Sequence, residues 1–407
     1  MMRSMFSAVS GLRNHQVKMD VIGNNIANVN TVGYKTSRVT FQDMLCQTIR
    51  GATAPQGGLG GSNPQQVGLG MLVRTIDTIH TQGSLESTGK LTDLAIQGDG
   101  FFVLNDGTVN RYTRAGIFDI NLQKNLVDPS TGLKVMGWQA DDAGAIDTTL
   151  PPSEIFIPIG ELMVAKESGN VVLAGNLDAD PTGPATVSVQ VYDSLGVAHT
   201  LVLEFTESAV DNTWDWQWQV DGGAWSGNVG TITFNADGTY NTESGASISI
   251  PLANGASTPL VIDPDFSNLT QFDALDSNVI IRNQDGFCMG VLETFTIGSD
   301  GIITGVFSNG MNETLARIAL AVFGNSGGLM RAGGTMFQQS TNSGEVRLVA
   351  PGESGVGSII PGSLEMSNVD LAQEFTNMIT TQRGFQANSR IITTSDEMLM
   401  ELVNLKR

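Results

Sequence analysis

Cysteine is nearly absent from this 407-residue sequence, which contains only Cys46 and Cys288. Two cysteines so far apart predict neither a disulfide framework nor a cysteine-based metal site. The whole chain has three histidines, too few to indicate a transition-metal site. No segment approaches the roughly 20 apolar residues that span a bilayer. We therefore expect no cofactor, no metal and no membrane insertion.

The sequence is also poor in basic residues and in charge as a whole. It has 21 lysines and arginines against 41 acidic residues, a net charge of -20, and only 15% of its residues are charged. Nucleic-acid binding is disfavoured, because neutralising phosphates requires a basic face. Residues 139–281 contain 20 of the acidic residues and one basic residue, Lys166. The negative charge therefore belongs to the middle of the chain and predicts a separate, solvent-facing module.

What the sequence does have is a heptad pattern at each end. Apolar residues at intervals of seven form one stripe of an amphipathic helix. The stripes are Met5, Leu12, Met19 and Ile26 near the N-terminus, and Leu371, Met378, Phe385, Ile392 and Leu399 near the C-terminus. Ser367 and Asn368 are candidate N-caps for the second helix. Because a single short seam is marginally stable, we expect the two helices to pair with each other and with copies from other chains, although two ordinary core helices remain an alternative.

Strands and turns dominate the sequence between these helices. The chain has 48 glycines, and pairs such as Asp106-Gly107 and Asp300-Gly301 are typical of β-hairpins. The fold predicted is mainly β with α-helical termini, in which a second β domain is inserted in the first and the terminal helices form a coiled-coil domain. The predicted segments are an N-terminal helix at 1–35, an extended linker at 36–74, a core β domain at 75–140 and 285–362, an acidic outer β domain at 141–284 and a C-terminal helix at 363–407.

Catalytic motifs are weak in this sequence. Residues 324–328 fit the G-x-S-x-G pattern of a serine hydrolase around Ser326, but that chemistry needs a histidine base and an orienting acid. Trp214, Trp216 and Trp218 share one strand face, which favours a sheet core over a sugar-binding stripe. We predict no catalytic residues, and keep a secreted hydrolase or a carbohydrate binder as the alternative class.

Two terminal segments are more specific than any catalytic motif. Residues 10–13 (SGLR) lead into 19–35 (MDVIGNNIANVNTVGYK), and residues 381–399 read TQRGFQANSRIITTSDEML. These segments resemble the N- and C-terminal signatures of the bacterial flagellar rod and hook axial proteins. Residues 97–103 (QGDGFFV) resemble the first core-domain strand of that family. The resemblance runs over the whole chain and is closest at 1–45, 75–140 and 285–407.

The resemblance implies a function. Members are not enzymes: many copies stack helically into a tube around a central export channel, and a hook transmits motor torque to the filament as a flexible universal joint. The partners implied are other copies of the chain, the flagellar rod, the hook-filament junction proteins, the hook cap and the type III export apparatus. The implied location is the hook, outside the cell, reached without signal cleavage. The large inserted domain favours a hook protein, with a distal rod or hook-like axial paralogue as the alternative.

The resemblance and the heptads together predict which residues lie between subunits. The polar candidates include four asparagines within seven positions, which indicate either an interface or simple helix termination. Gly384 departs from the family pattern and indicates a close helix approach or a bend, because a mid-helix glycine costs about 1 kcal/mol relative to alanine. The predicted interface residues are Met5, Leu12, Met19, Ile22, Asn24, Asn25, Ile26, Asn28, Asn30, Leu371, Phe375, Met378, Gln382, Phe385, Asn388, Ile392, Leu399 and Leu402.

Overall fold

A computed structural model describes residues 2–52, 54, 60–141, 144–181, 183–227, 229–245, 247–274, 276–353 and 355–404 of the chain. Met1 and residues 405–407 of the predicted terminal helices, together with residues 53 and 55–59 of the predicted linker, lie outside this description. The chain is mainly β with a helix at each end, which confirms the predicted fold class. The helices are α1 (Met2–Ala27) and α2 (Leu371–Asn404).

The segment predicted as an extended linker forms paired strands instead. Strand β1 (Ser37–Asp43) pairs antiparallel with β4 (Met71–Thr78), and β2 (Cys46–Arg50) pairs antiparallel with β3 (Gln65–Gly68). The glycines and prolines that suggested a linker fall mostly between β2 and β3 in sequence. Strands β1 and β4 contain β-branched residues such as Val39 and Val73, which favour strand formation. The linker prediction missed this pairing because it read composition and not the alternation of the flanking residues.

Contacts divide the chain into two compact units. The first unit consists of Met1–Ile157, Thr296–Thr304 and Thr314–Arg407, and contains both helices together with a β core. The strands that follow β4 and those near the C-terminus are β5 (Leu85–Ser87), β6 (Leu94–Gln97), β7 (Phe101–Asn105), β8 (Asn110–Thr113), β9 (Asp119–Ile120), β10 (Leu126–Val127), β11 (Lys134–Gln139), β12 (Ser153–Glu154), β24 (Ile302–Phe307), β25 (Asn312–Ile318), β26 (Leu320–Val322), β27 (Met330–Gly333), β28 (Met336–Gln338), β29 (Arg347–Val349), β30 (Ser358–Pro361) and β31 (Ser363–Glu365). The central strands of the β core follow the order β25-β11-β7-β8-β28-β27.

The second unit consists of Pro158–Phe295 and Gly305–Glu313. The strands between β12 and β24 are β13 (Leu162–Met163), β14 (Asn170–Asp178), β15 (Ala185–Tyr192), β16 (Ala198–Glu207), β17 (Thr213–Val220), β18 (Gly230–Phe234), β19 (Tyr240–Gly245), β20 (Ile248–Ile250), β21 (Leu260–Phe272), β22 (Asn278–Gln284) and β23 (Gly290–Ile297). A five-stranded antiparallel sheet, β15-β16-β17-β18-β19, and a four-stranded sheet, β20-β21-β14-β22, share one apolar core. Trp214 and Trp216 are buried in that core and Trp218 packs against it, as expected for sheet-core residues.

The boundaries of the second unit differ from those predicted for the insert, 141–284. Strand β12 still pairs with β11, and Ile155 and Ile157 are buried, so the chain up to position 157 belongs to the first unit. The acidic composition begins near Asp141, before the change of unit, because charge marks exposure and not strand pairing. The helices likewise group with the β core and do not form a unit of their own.

A buried ionic cluster joins the two ends of the chain to the β core of the first unit. The Glu365 carboxylate lies 2.6 Å from Lys35 Nζ and 3.4 Å from Arg114 Nη1, and its side chain is fully buried. Lys35 Nζ also donates to the Thr81 carbonyl at 2.7 Å, and the Gly83 N–H donates to Glu365 Oε1 at 2.9 Å. We call Lys35, Arg114 and Glu365 the terminal junction.

The terminal junction connects three distant parts of the sequence. Lys35 follows α1, Glu365 precedes α2, and Arg114 follows β8. The Gly33 N–H adds a hydrogen bond to the Glu365 carbonyl at 2.7 Å. Burial lowers the pKa of Lys35, and the Glu365 carboxylate opposes this by raising it. The junction therefore fixes where both helices leave the β core.

Glu365→Gln is expected to destabilise the protein strongly. The amide keeps the shape of the side chain but leaves Lys35 and Arg114 buried without a counter-charge, a change that costs about 3–5 kcal/mol. Urea unfolding of the full chain, followed by circular dichroism, measures the loss. The control is Asp77→Asn, which breaks the exposed pair with Arg38 and should cost less than about 1 kcal/mol. If both substitutions lowered the free energy of unfolding by the same small amount, the proposed contribution of the junction to stability would be contradicted.

His80 beside the junction predicts a loss of stability in acid. Burial, together with the nearby cations Lys35, Arg114 and Arg331, lowers its pKa from 6.5 to about 4. Between these values the unfolded chain binds the proton and the folded chain does not, so stability rises with pH and is lost as pH falls from about 6.5 toward 4.

We expect His80→Phe to remove this component, about 2 kcal/mol between pH 7 and pH 4. The replacement is apolar and the imidazole already packs on Phe101 and Phe337, with ring centroids 5.7 and 5.2 Å away. Comparing the unfolding free energies of the original protein and the variant across this range tests it. Parallel pH profiles for the two proteins would show that His80 contributes nothing to acid sensitivity.

Candidate functional site

The paired terminal helices are the candidate site, and they pack closely because each has a glycine in the seam. A Cβ on Gly11 would lie 2.6 Å from Asn388 Nδ2, and one on Gly384 would lie 2.9 Å from the His15 ring. The contacts 11 to 388 and 15 to 384 show that α1 and α2 run antiparallel. Gly384 thus marks a close helix approach, one of the two readings of its departure from the family pattern.

The seam also contains ionisable groups. The pKa of Glu374 is raised, mainly by burial. The hydrogen bond with Asn25 and the nearby charge of Lys18 lower it, but by less. Burial and Lys18 lower the pKa of His15. Lys18 Nζ lies 5.8 Å from the centre of the Phe41 ring of β1. The helix pair is therefore held to the adjoining hairpin by cation–π contact as well as by apolar packing.

Asparagines at the end of α1 bond within the chain. The buried Asn25 donates to the Ser37 carbonyl at 2.8 Å and accepts from the Ser37 N–H and the Tyr34 hydroxyl. Asn28 Nδ2 donates to the carbonyl and the side chain of Asn24. The amides of Asn25 and Asn28 thus bond around the end of α1 within one chain, and their place in a subunit interface stays a prediction. Asn24 and Asn30 remain exposed.

The N-cap of α2 differs from the prediction. Asp370 Oδ1 accepts hydrogen bonds from the N–H groups of Ala372 and Gln373, at 2.9 and 3.2 Å. Asn368, a predicted cap, instead bonds to Thr36 N–H and to the Ile79 carbonyl, and so anchors the segment before the helix. The sequence offered several polar residues in succession, and only the tertiary contacts of Asn368 decide between them.

The other predicted interface residues differ in how far a single chain buries them. Buried or half-buried are Met5, Leu12, Met19, Ile22, Ile26, Met378, Asn388, Ile392 and Leu399. Exposed are Leu371, Phe375, Phe385 and Leu402 among the apolar predictions and Gln382 among the polar ones.

Sequence reasoning missed further exposed apolar residues of α2. They are Ile379, Ile391, Met400 and Val403. A strict interval of seven skipped these four, whereas Met398, which supports the C-terminal heptad stripe, is exposed as well. Sequence reasoning also missed the small buried residues Ala8, Thr381 and Ser395. We call the exposed apolar residues Phe375, Phe385 and Met398, together with the four missed ones, the open face of α2.

The alternative chemistries find little support in the geometry. Ser326 begins a short 3₁₀ turn rather than an α-helix. His80 lies beside the Ser326 backbone, and the charged groups that shift its pKa are all cations. A catalytic histidine needs an orienting acid instead. Trp214 and Trp216 are buried and present no surface to a sugar.

Across the described ranges, no cluster of three or more histidine, cysteine, aspartate or glutamate side chains has a metal-binding arrangement. Within the same residues, neither helix combines the length and apolar character of a membrane span.

Comparison with protein families gives four matches along the chain. Residues 5–35 match the flagella basal body rod protein family and residues 95–173 match the flagellar hook protein FlgE/F/G D1 domain. Residues 169–287 match the flagellar basal body protein FlaE D2 domain, and residues 360–405 match the flagellar basal body rod FlgEFG protein C-terminal family. The first and last matches cover most of α1 and α2, and the D2 match lies within the second unit.

Comparison with individual proteins agrees with these matches. The chain is 43% identical to the flagellar hook protein FlgE of Borreliella burgdorferi and 40% identical to that of Treponema pallidum, over the full length of each chain. It is 34% identical to the flagellar basal-body rod protein FlgG of Bacillus subtilis, again over both full lengths. The crystal structure of Helicobacter pylori flagellar hook protein FlgE2 shares its fold, with a TM-score of 0.54 at 16% identity, covering 69% of this chain and all of that one. The chain therefore belongs to the family of flagellar hook and rod axial proteins, which are structural proteins and not enzymes.

Proposed function

We propose that this protein is a structural subunit of the bacterial flagellar hook. Copies of it assemble into a helical tube that transmits torque from the rod to the filament as a universal joint and encloses an export channel. The observation that carries the proposal is the open face of α2, which one chain leaves uncovered. The full-length similarity to two hook proteins supports it.

The open face has the properties of an assembly surface. Phe375 and Phe385 are 49% and 39% exposed, and exposed apolar residues recur along α2 as far as Val403. Large exposed apolar surfaces mark interaction sites. In the proposed assembly, other copies of the same chain cover the open face. A heterologous contact of this type, repeated without closing, generates a helical polymer.

The second unit favours a hook subunit over the alternative, a distal rod or hook-like axial paralogue. It carries 19 acidic and only two basic residues, Lys166 and Arg282. An acidic domain is best accommodated on the outside of a tube, where salt screens like charges over roughly 8 Å. Residues 169–287 of this unit match the flagellar basal body protein FlaE D2 domain. Similarity to a rod protein over the full length keeps the alternative open.

The proposed partners follow from a place in the hook. They are the flagellar rod, the hook-filament junction proteins, the hook cap and the type III export apparatus. Export without a cleaved signal peptide is part of the proposal, and the scarcity of cysteine suits a chain that is exported unfolded. Reconstituted export of the unprocessed chain, with its mass measured before and after, tests this route directly.

Removing residues 1–27 and 371–407 is expected to abolish assembly and leave a soluble monomer. The deletion takes away both helices but retains Lys35, Arg114 and Glu365, so the terminal junction stays complete. Electron microscopy and analytical ultracentrifugation of the truncated and full chains give the comparison. Tubes built by the truncated chain would show that the helices are not required.

A sharper test changes only the open face. Phe375→Ser with Phe385→Ser should leave the unfolding free energy of the monomer within about 1 kcal/mol, because both side chains are already exposed. Polymerisation should fall at least tenfold, since the substitutions remove apolar area that other copies cover. The control is Val210→Ser, which is 64% exposed in the second unit and should change neither property. Unchanged assembly of the double variant would exclude the open face as the contact.

A further inference from the structure

His199 lies between two carboxylates in the second unit. Its Nδ1 is 2.8 Å from Asp221 Oδ2, and its Nε2 is 3.5 Å from Asp193 Oδ2. The side chain of Asp193 is fully buried, whereas that of Asp221 is half-exposed. A buried carboxylate is costly unless it is paired and hydrogen-bonded, so the charge on the imidazole matters for the local structure.

The three side chains join two turns of the five-stranded sheet. Asp193 begins the turn between β15 and β16, His199 is the second residue of β16, and Asp221 follows β17. Asp221 is fixed independently, because its Oδ1 accepts from the Thr200 N–H at 2.8 Å and its own N–H donates to the Thr200 carbonyl at 3.0 Å. The imidazole therefore bridges two turns that are held in place by the backbone.

Asp193 also connects this sheet with the other one. Asn254 Nδ2 donates to Asp193 Oδ2, and the Ser257 N–H donates to Ser194 Oγ at 2.8 Å. Asn254 and Ser257 belong to residues 251–259, the connection between β20 and β21 of the four-stranded sheet, which we call the linking loop. The linking loop thus reaches the five-stranded sheet through the turn that contacts the imidazole.

The electrostatics favour the protonated imidazole. The hydrogen bond to Asp221 raises the pKa of His199 above 6.5, burial lowers it, and Asp193 raises it again. Burial raises the pKa of Asp193, but the hydrogen bonds from Asn254 and from the N–H groups of Val197 and Leu195 lower it below its ordinary value. The charged groups acting on the ring are these two carboxylates.

We propose that His199 is a proton-operated latch that holds the linking loop against the Asp193 turn. The imidazolium donates a hydrogen bond from Nδ1 to Asp221 and attracts the Asp193 carboxylate by its charge, across 3.5 Å from Nε2. A neutral imidazole has a single N–H, so one carboxylate then faces a ring nitrogen lone pair and is repelled. The stabilisation is present at low pH and is lost as pH rises through the titration of the bound ring. This direction is opposite to that of His80 in the first unit.

Hydrogen exchange of the full chain, measured by mass spectrometry at pH 6 and pH 9 and corrected for intrinsic rates, tests the latch. We expect the protection factors of the amides in 251–259 to fall at least about threefold at the higher pH. A shift of one pKa unit changes the opening equilibrium by a factor of about ten. The control is the turn at 235–239 in the same unit, which contains no histidine and should show no corrected change. Equal protection of the linking loop at both pH values would overturn the proposal.

Two variants separate the latch from a structural role. His199→Gln should abolish the pH dependence of the loop, and a dependence equal to that of the original protein would contradict the proposal. Asp221→Asn removes the closer carboxylate from an exposed position and should fold normally. We expect it to move the loss of protection to lower pH, and an unshifted transition would count against the latch.

Discussion

The buried carboxylate of Glu365 is the interaction on which the arrangement of the first unit depends. It contacts Lys35 from the segment after α1 and Arg114 from the β core. Lys35 is 330 positions from Glu365 in the sequence, and Arg114 is 251 positions from it. Isolated ionic groups do not persist in a protein interior, and a buried pair costs much of its own attraction in desolvation. Its role here is better described as specificity: the charges are satisfied in one arrangement of the three segments, and that arrangement brings the segment after α1 beside the segment before α2.

Pairing of the two helices buries only part of their apolar surface. The glycines of the seam, Gly11 and Gly384, allow the helices to approach and bury one stripe. The remaining apolar residues of α2 stay on the open face, which a single chain cannot cover. The net negative charge is concentrated in the second unit, which has 19 acidic residues against two basic ones and lies away in sequence from both helices. The chain thus separates the exposed apolar residues of its last helix from a charged module in its middle.

The sequence predicted the large features well and the local ones less well. The heptad stripes gave both helices, and Asp-Gly turns with alternating strands gave the β class. Residues 36–74 were misread as a linker because glycine content there hid the strands on either side of it. Asn25 could not be assigned from sequence, since its partners Tyr34 and Ser37 become neighbours only when the chain turns after α1. The junction was missed for the same reason: Lys35, Arg114 and Glu365 share no sequence pattern.

Electron cryomicroscopy of tubes assembled from the purified full chain is the most direct test of the proposed separation of surfaces. The prediction is that Phe375 and Phe385 are covered by neighbouring copies near the centre of the tube, while the carboxylates of the second unit face solvent on the outside. A tube in which the open face of α2 remains in water and the acidic units form the principal contacts would contradict it.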